Sequence, residues 1–151
     1  MRTFESVADL VAAQGESIGH SDWVTITQDD VNLFADATGD HQWIHVDPEK
    51  AAAGPFGKTI AHGFMTLSLL PRLQQQMYTV NGIKLAINYG LNKVRFPAPV
   101  PVGSKVRAQS SLVSVDDLGN GTVQATVSTT VEVEGSPKPA CVAESLVRYI
   151  S

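Results

Sequence analysis

The sequence predicts an α+β fold in which an antiparallel β-sheet wraps around a long central helix. From Val123 to Glu134 apolar and polar residues alternate except at Thr129, and the residues from Lys105 to Leu112 alternate except at Ser110, which is typical of strands with one buried face. The helix that begins at His62 is apolar almost all round over its first two turns, which predicts burial on every side. We therefore expect the later strands to pack around this helix.

The length and composition are those of one globular domain over residues 1–151, with 43% hydrophobic and 17% charged residues. The net charge is −4 and the basic residues are scattered, which argues against a nucleic-acid partner. The longest apolar-rich stretch, Phe64–Leu70, is too short for a membrane span, and no signal peptide is visible. The single Cys141 cannot form an internal disulfide. These features predict a cytoplasmic protein without a membrane partner.

The first part of the chain, to about residue 80, is predicted to be mostly helical with one early strand around residues 24–26. A helix follows Thr27, which resembles the first residue of a capping box with Asp30. Gly39 is in the usual position to end this helix. A polar loop over residues 40–48 comes next.

The central helix is predicted to be kinked or interrupted at Pro71, because proline lacks the N–H of a helical hydrogen bond. A more polar half of this helix begins at Gln74. The rest of the chain is predicted to form strands joined as hairpins, with turns at residues 117–121 and 135–137.

The loop from Gly39 to Pro48 concentrates groups that can move protons. Asp40 and His45 lie five residues apart on a chain that turns back on itself. They can converge on one water molecule, take a proton from it and deliver a proton elsewhere. The alternative is that Asp40 caps the turn and His45 is a hydrogen-bonded core residue. Local turns of this kind are common, so these residues alone favour the alternative.

A metal site is a further interpretation of the same loop, because His41 and His45 are four residues apart. This spacing places two ligands on one face only if the segment is helical, and Gly39 and Pro48 argue against a helix. No third histidine or cysteine lies nearby in the sequence. We therefore expect neither a metal ion nor another cofactor.

The start of the central helix offers a different group, the backbone N–H of Gly63. The first N–H groups of a helix have no partner within it, and glycine has no side chain to block access to them. This N–H can therefore bind a carbonyl oxygen as in an oxyanion hole. Alternatively, Gly63 only allows tight packing where the helix begins. Cys141 is expected to be a buried packing residue and not a nucleophile.

Three motifs, in this order, resemble those of the MaoC-like (R)-specific enoyl-CoA hydratases and dehydratases of the hot-dog fold. Gly39–Pro48 is similar to the family's hydratase motif of an Asp, a polar stretch, an aliphatic residue, a His and an Asp/Asn-Pro pair. Ile60–Gly63 is similar to a second signature, and Asn88–Gly90 followed by Val94–Val100 is similar to a third. The resemblance extends from about Ser21 to Val147.

The sequence departs from the family pattern at one point. Gln42 and Trp43 stand where many members have Asn-Pro. This can reshape the pocket near the loop but leaves Asp40 and His45 in place. Trp43 then either lines the acyl pocket or packs in the core.

The resemblance implies a single hot-dog domain that forms a homodimer and acts in fatty-acid metabolism. It implies that Asp40 and His45 activate one water, which adds to the β-carbon of a trans-2-enoyl-CoA and gives an (R)-3-hydroxyacyl-CoA. The backbone N–H of Gly63 would polarise the thioester carbonyl. The substrate-binding positions that it implies are Ile60, Ala61, His62, Gly63, Arg95, Phe96 and Pro97.

Two other functions are weighed against the hydratase. A hot-dog acyl-CoA thioesterase also activates water with a carboxylate, but attacks the carbonyl carbon. A non-catalytic acyl-CoA-binding subunit of a dehydratase would be expected to lack the acid or the histidine. The presence of both Asp40 and His45 favours the hydratase.

Overall fold

One antiparallel sheet of six strands forms the body of the computed structural model, which describes residues 1–151. In chain order the strands are β1 (Arg2–Phe4), β2 (Ser17–His20), β3 (Val24–Thr25), β4 (Tyr78–Val80), β5 (Leu85–Arg95), β6 (Lys105–Gly119), β7 (Thr122–Val133) and β8 (Cys141–Ile150). The main sheet has the order β2–β6–β7–β8–β5, and β3 also pairs with β6. Strands β1 and β4 form a separate parallel pair. Strand β5 therefore lies at one edge of the main sheet.

The two strands predicted from alternating residues are confirmed. Strands β6 and β7 pair in antiparallel register from Val106 opposite Val133 to Gly119 opposite Thr122. The alternate residues of β7 from Val123 to Val133 are buried, as the pattern predicts. The buried apolar face thus fixes the register in which these two strands pair.

Six short helices accompany the sheet. They are α1 (Val7–Ala12), α2 (Gln28–Thr38), α3 (Trp43–Val46), α4 (Pro48–Ala52), α5 (Gly63–Ser68) and α6 (Leu70–Gln74). None of them has the length and hydropathy that a membrane span requires. Helix α2 begins as predicted, because the Thr27 hydroxyl accepts the N–H of Asp30 while the Asp30 carboxylate accepts the N–H of Thr27. It ends at Gly39, whose φ of 80° lies in the left-handed region.

The prediction of only one early strand was wrong. Three strands, β1, β2 and β3, precede α2, and they have three, four and two residues. Segments this short contain too few residues to establish an alternating pattern. Their pairing partners, β4 and β6, are distant in the sequence, so tertiary pairing decides their conformation.

The central helix is interrupted near Pro71, as predicted, so that α5 and α6 are two short segments and not one long helix. Burial on every side, however, was a wrong prediction. Met65 is buried whereas 69% of Phe64 is exposed. The segments pack on the sheet through one face, α5 against β8 and α6 against β6. On the opposite face Phe64 meets the ring of Phe96 edge-on, with centroids 6.1 Å apart, and this contact leaves it exposed.

The core between helices and sheet is apolar but contains a series of hydrogen-bonded polar side chains. Gln74, predicted to begin a more polar half of the helix, is buried, and its side-chain N–H donates to the Thr129 hydroxyl 3.1 Å away. Thr129 in turn lies 2.8 Å from the hydroxyl of Ser110. Cys141 is fully buried as expected, and burial raises the pKa of its thiol to about 11, which leaves it in the unreactive thiol form.

Candidate active site

The site is built on the segment that follows α2. Gly39 redirects the chain so that Asp40 is exposed, and an Asp40 carboxylate oxygen accepts the backbone N–H of Gln42 at 3.3 Å. This is the local turn expected from the alternative in which Asp40 caps the turn after Gly39. It uses one carboxylate oxygen, and the other oxygen is left to accept a proton or a hydrogen bond.

His45 is buried and held at both its ring and its backbone. Contrary to the expectation that Gly39 and Pro48 prevent a helix, residues 43–46 form the short helix α3, which carries His45. The Nδ1 atom of His45 lies 2.7 Å from the carbonyl oxygen of Ile60. Because a carbonyl oxygen only accepts, Nδ1 carries the proton and Nε2 carries the lone pair.

The surroundings of His45 keep its ring neutral. Burial lowers its pKa from the usual 6.5, and the neighbouring His62 lowers it further. The hydrogen bond to Ile60 and the charge of Asp40 act in the opposite direction but do not outweigh burial. A neutral imidazole with a free Nε2 lone pair can act as an acceptor for a water proton at neutral pH.

His62 completes the cluster, and the sequence reasoning missed this contact. The His45 and His62 rings are stacked, with centroids 3.8 Å apart and an angle of 23° between planes. The Nε2–H of His62 donates to the backbone carbonyl of Asp40 at 2.9 Å. Polar side-chain atoms of Asp40, His45 and His62 all lie within 4.8 Å of one another.

This cluster has the composition of a metal site, but its geometry is unfavourable. Imidazole lone pairs lie in the ring planes, and the stacked planes of His45 and His62 run side by side. Two such lone pairs do not meet at a point about 2.0–2.1 Å from each nitrogen, as a zinc ion requires. His41, the ligand considered from the sequence, is exposed and lies 2.9 Å from Asp36, which raises its pKa. It takes no part in the cluster.

A cleft of about 310 Å³ lies beside His45 and contains most of the predicted substrate-binding positions. Its lining includes Ile60, Ala61, Gly63, Phe96 and Pro97. Two predicted positions do not line it. His62 is buried, and Arg95 is exposed with its guanidinium donating to the carbonyl of Val94 at 2.6 Å.

Gly63, at the start of α5, fits both roles suggested for it, tight packing and binding of a carbonyl oxygen. A Cβ atom at Gly63 would lie 3.1–3.3 Å from the Phe96 ring, so the absence of a side chain permits this packing. Its backbone N–H has no acceptor among the backbone hydrogen bonds of the chain. Because Gly63 also lines the cleft, its N–H is available to a ligand atom.

Trp43 is a packing residue and does not line the cleft. A Cβ atom at Gly54 would lie 2.9 Å from the Trp43 ring, which shows how closely this ring covers the segment after α4. The ammonium group of Lys50 lies over the ring, 4.9 Å from its centroid. Trp43 thus packs against the segment around Gly54 and does not line the cleft, but it is half-buried and lies outside the core.

Comparison with known proteins places this geometry in a family. Residues 9–134 match the family model described as a MaoC like domain. The 3-hydroxyacyl-thioester dehydratase Z of Mycobacterium tuberculosis is 86% identical over 151 residues, which cover the whole of both chains. Nodulation protein N of Rhizobium leguminosarum bv. viciae is 45% identical over 140 residues, covering 91% of this chain and 87% of that protein.

Solved structures agree with the sequence comparisons. A monoamine oxidase regulatory protein from Archaeoglobus superposes with a TM-score of 0.81 at 26% identity and covers 99% of this chain and 97% of its own. An (R)-hydratase from A. caviae gives a TM-score of 0.65 at 25% identity over 89% of this chain and 98% of its own. With the hot-dog fold and the family match both established, this chain belongs to the MaoC-like dehydratase family.

Proposed function

We propose that this chain is a hydro-lyase that adds water reversibly to a trans-2-enoyl-CoA and forms an (R)-3-hydroxyacyl-CoA. The observation that carries this proposal is that the Asp40 carboxylate lies within 4.8 Å of a ring nitrogen of His45, and that His45 lines a cleft that also presents the free N–H of Gly63. The name of the 86% identical relative, a 3-hydroxyacyl-thioester dehydratase, supports the same chemistry.

Asp40 and His45 together hold and activate the water. A water molecule has two O–H groups, which donate to the Asp40 carboxylate and to Nε2 of His45. Asp40 takes the proton as the water oxygen bonds to the β-carbon, and the π electron pair moves toward the α-carbon and the thioester oxygen. The Asp40–His45 pair then returns a proton to the α-carbon on the same face, so that one molecule of water is added overall.

Gly63 stabilises the charge that develops during this step. Negative charge grows on the thioester oxygen as the enolate forms, and the unused Gly63 N–H is a rigid donor for it. Donors of this kind contribute about 2.7–4 kcal/mol to the transition state. No metal ion is needed for this assignment, because the N–H performs the polarisation.

A homodimer would extend the cleft into a groove for the CoA arm. Strand β5 lies at the edge of the sheet and exposes Leu85, Ile87, Tyr89 and Leu91. Pairing of β5 with a second copy would cover this apolar edge and lengthen the sheet. Arg95 at the end of β5, with Phe96 and Pro97 after it, would then contact the CoA arm. Each subunit would be a single domain over residues 1–151, located in the cytoplasm.

The test is an assay that separates addition at the β-carbon from attack at the carbonyl. Crotonyl-CoA is incubated with the protein while the enoyl absorbance and the free thiol are followed together. We expect the absorbance to fall without thiol release and the product to be the (R)-3-hydroxybutyryl thioester on chiral chromatography. Thiol release would instead indicate a thioesterase, and no change in either signal would indicate an acyl-CoA-binding subunit.

A further inference from the structure

His62 touches each of the three parts of the site. It is 2% exposed, and its Nε2–H donates to the Asp40 carbonyl at 2.9 Å. Its ring stacks on His45 with centroids 3.8 Å apart, and its backbone leads directly into Gly63 at the start of α5. One residue therefore connects the proton-transfer pair, through its side chain, with the N–H that would bind the thioester oxygen, through its backbone.

The second nitrogen of His62 is not explained by packing. Because Nε2 donates to Asp40, Nδ1 carries the lone pair, and this buried atom has no hydrogen-bond partner. The ring packs against Phe34 and His45, with a centroid distance of 4.9 Å to Phe34. A phenyl ring would fill this space without burying an unpaired nitrogen. Packing stability therefore does not explain why a histidine occupies this position. The hydrogen bond from its Nε2–H to Asp40 does explain it.

The bond from His62 is also what anchors Asp40 to the rest of the molecule. The carboxylate of Asp40 accepts only the N–H of Gln42, two residues away in the same exposed segment. The bond from His62 spans 22 residues and ties this segment to the start of α5. Without it, the short connection after Gly39 has no hydrogen bond from another element at Asp40.

We propose that His62 is a positioning residue that holds the Asp40 backbone and the His45 ring in register with the Gly63 N–H. This inference rests on the proposed hydration reaction and adds a residue to it. His62 does not line the cleft, so it acts on the water and the thioester through Asp40, His45 and Gly63. Its loss should therefore lower kcat more than it raises KM.

The first test needs no substitution. The chain has four histidines, and long-range proton–nitrogen correlation spectra of ¹⁵N-histidine-labelled protein report the tautomer of each. His20→Gln and His41→Gln variants assign the two exposed rings by loss of their signals. We expect a neutral Nε2–H tautomer for His62 and an Nδ1–H tautomer for His45. An Nδ1–H tautomer at His62 would overturn the proposal.

The second test compares two substitutions with opposite chemistry. His62→Phe keeps an aromatic ring but removes the donor, whereas His62→Gln keeps an N–H that can reach the Asp40 carbonyl. A displacement of about 1 Å costs on the order of 10²-fold, so we expect His62→Phe to lower kcat by about that factor with little change in KM. His62→Gln should recover most of this loss. His20→Phe, on β2 at the other edge of the sheet from β5, is the matched control and should keep its activity.

A pH profile supplies a readout that packing alone would not move. Asp40 and His62 are the titratable groups that act on His45, and His62 lowers its pKa. Both His62 variants should therefore shift the acidic limb of kcat/KM to higher pH. A loss of kcat that glutamine does not restore, with an unmoved limb, would assign His62 to packing and overturn the proposal. If the wild-type protein does not hydrate crotonyl-CoA, the proposed function fails, while the tautomer measurement still decides whether His62 holds Asp40.

Discussion

The Nδ1–H of His45 donates a 2.7 Å hydrogen bond to the carbonyl oxygen of Ile60. The same two segments are joined a second time, because the N–H of Ile60 donates to the carbonyl of Ile44 at 3.0 Å. The acceptor is a backbone carbonyl and is present whatever side chain occupies position 60. The tautomer of His45 therefore depends on the position of the backbone at residue 60. The path from α3 to the start of α5 therefore aims the Nε2 lone pair of His45.

Replacing Asp40 by asparagine is expected to remove the base without disturbing the fold. Asp40 is exposed and its carboxylate makes one local bond to Gln42, which an amide oxygen can also accept. We expect the hydration rate to fall by about 10²–10⁴, as for other acid–base groups. Initial rates with crotonyl-CoA and thermal unfolding curves measure the two effects. Asp36→Asn, on the exposed face of α2, is the control. A folded Asp40→Asn protein with wild-type rates would refute the assignment.

The acidic limb of the pH profile should report His45. Burial lowers the pKa of this residue below 6.5, so the ring stays neutral until the pH falls through that lower value. Protonation then occupies the Nε2 lone pair and kcat/KM decreases, whereas raising the pH above 6.5 has no effect through this group. The profile of kcat/KM between acid and neutral pH gives the midpoint. A midpoint above 6.5 would contradict the predicted environment of His45.

How far the site could be predicted depends on the distance along the chain between its parts. Asp40 and His45 lie in one motif, and Gly63 begins a helix, so the sequence around each of them is enough to propose it as a candidate. The contact between His62 and Asp40 joins residues 22 positions apart, and no periodicity encodes it. Helix α3 was missed because its four residues lie between Gly39 and Pro48, and tertiary hydrogen bonds to Ile60 hold it.

Removing metal ions is expected to leave the activity unchanged. The stacked rings of His45 and His62 do not direct their lone pairs to one point, and His41 is engaged with Asp36. Dialysis against a strong chelator, followed by the crotonyl-CoA assay, measures this directly. If activity disappeared and returned on adding zinc, the cluster of Asp40, His45 and His62 would have to rearrange into a metal site.

Introducing a charge on the exposed edge of β5 should dissociate the proposed dimer and lower the activity. Ile87 is 45% exposed and lies opposite Arg148 of β8, so Ile87→Glu places its carboxylate beside a guanidinium and suits the single chain. In a dimer joined along β5 the same carboxylate enters an apolar interface, which weakens association.

The measurement follows mass by light scattering and activity together during dilution. For Ile87→Glu we expect both to fall at a higher protein concentration than for the wild-type protein, because a subunit without its partner lacks part of the CoA groove. Val113→Glu, an exposed apolar position on β6 away from this edge, is the matched control and should behave like the wild-type protein. A monomer that stays fully active at the lowest concentration would refute the shared groove, while the roles proposed for Asp40 and His45 would stand.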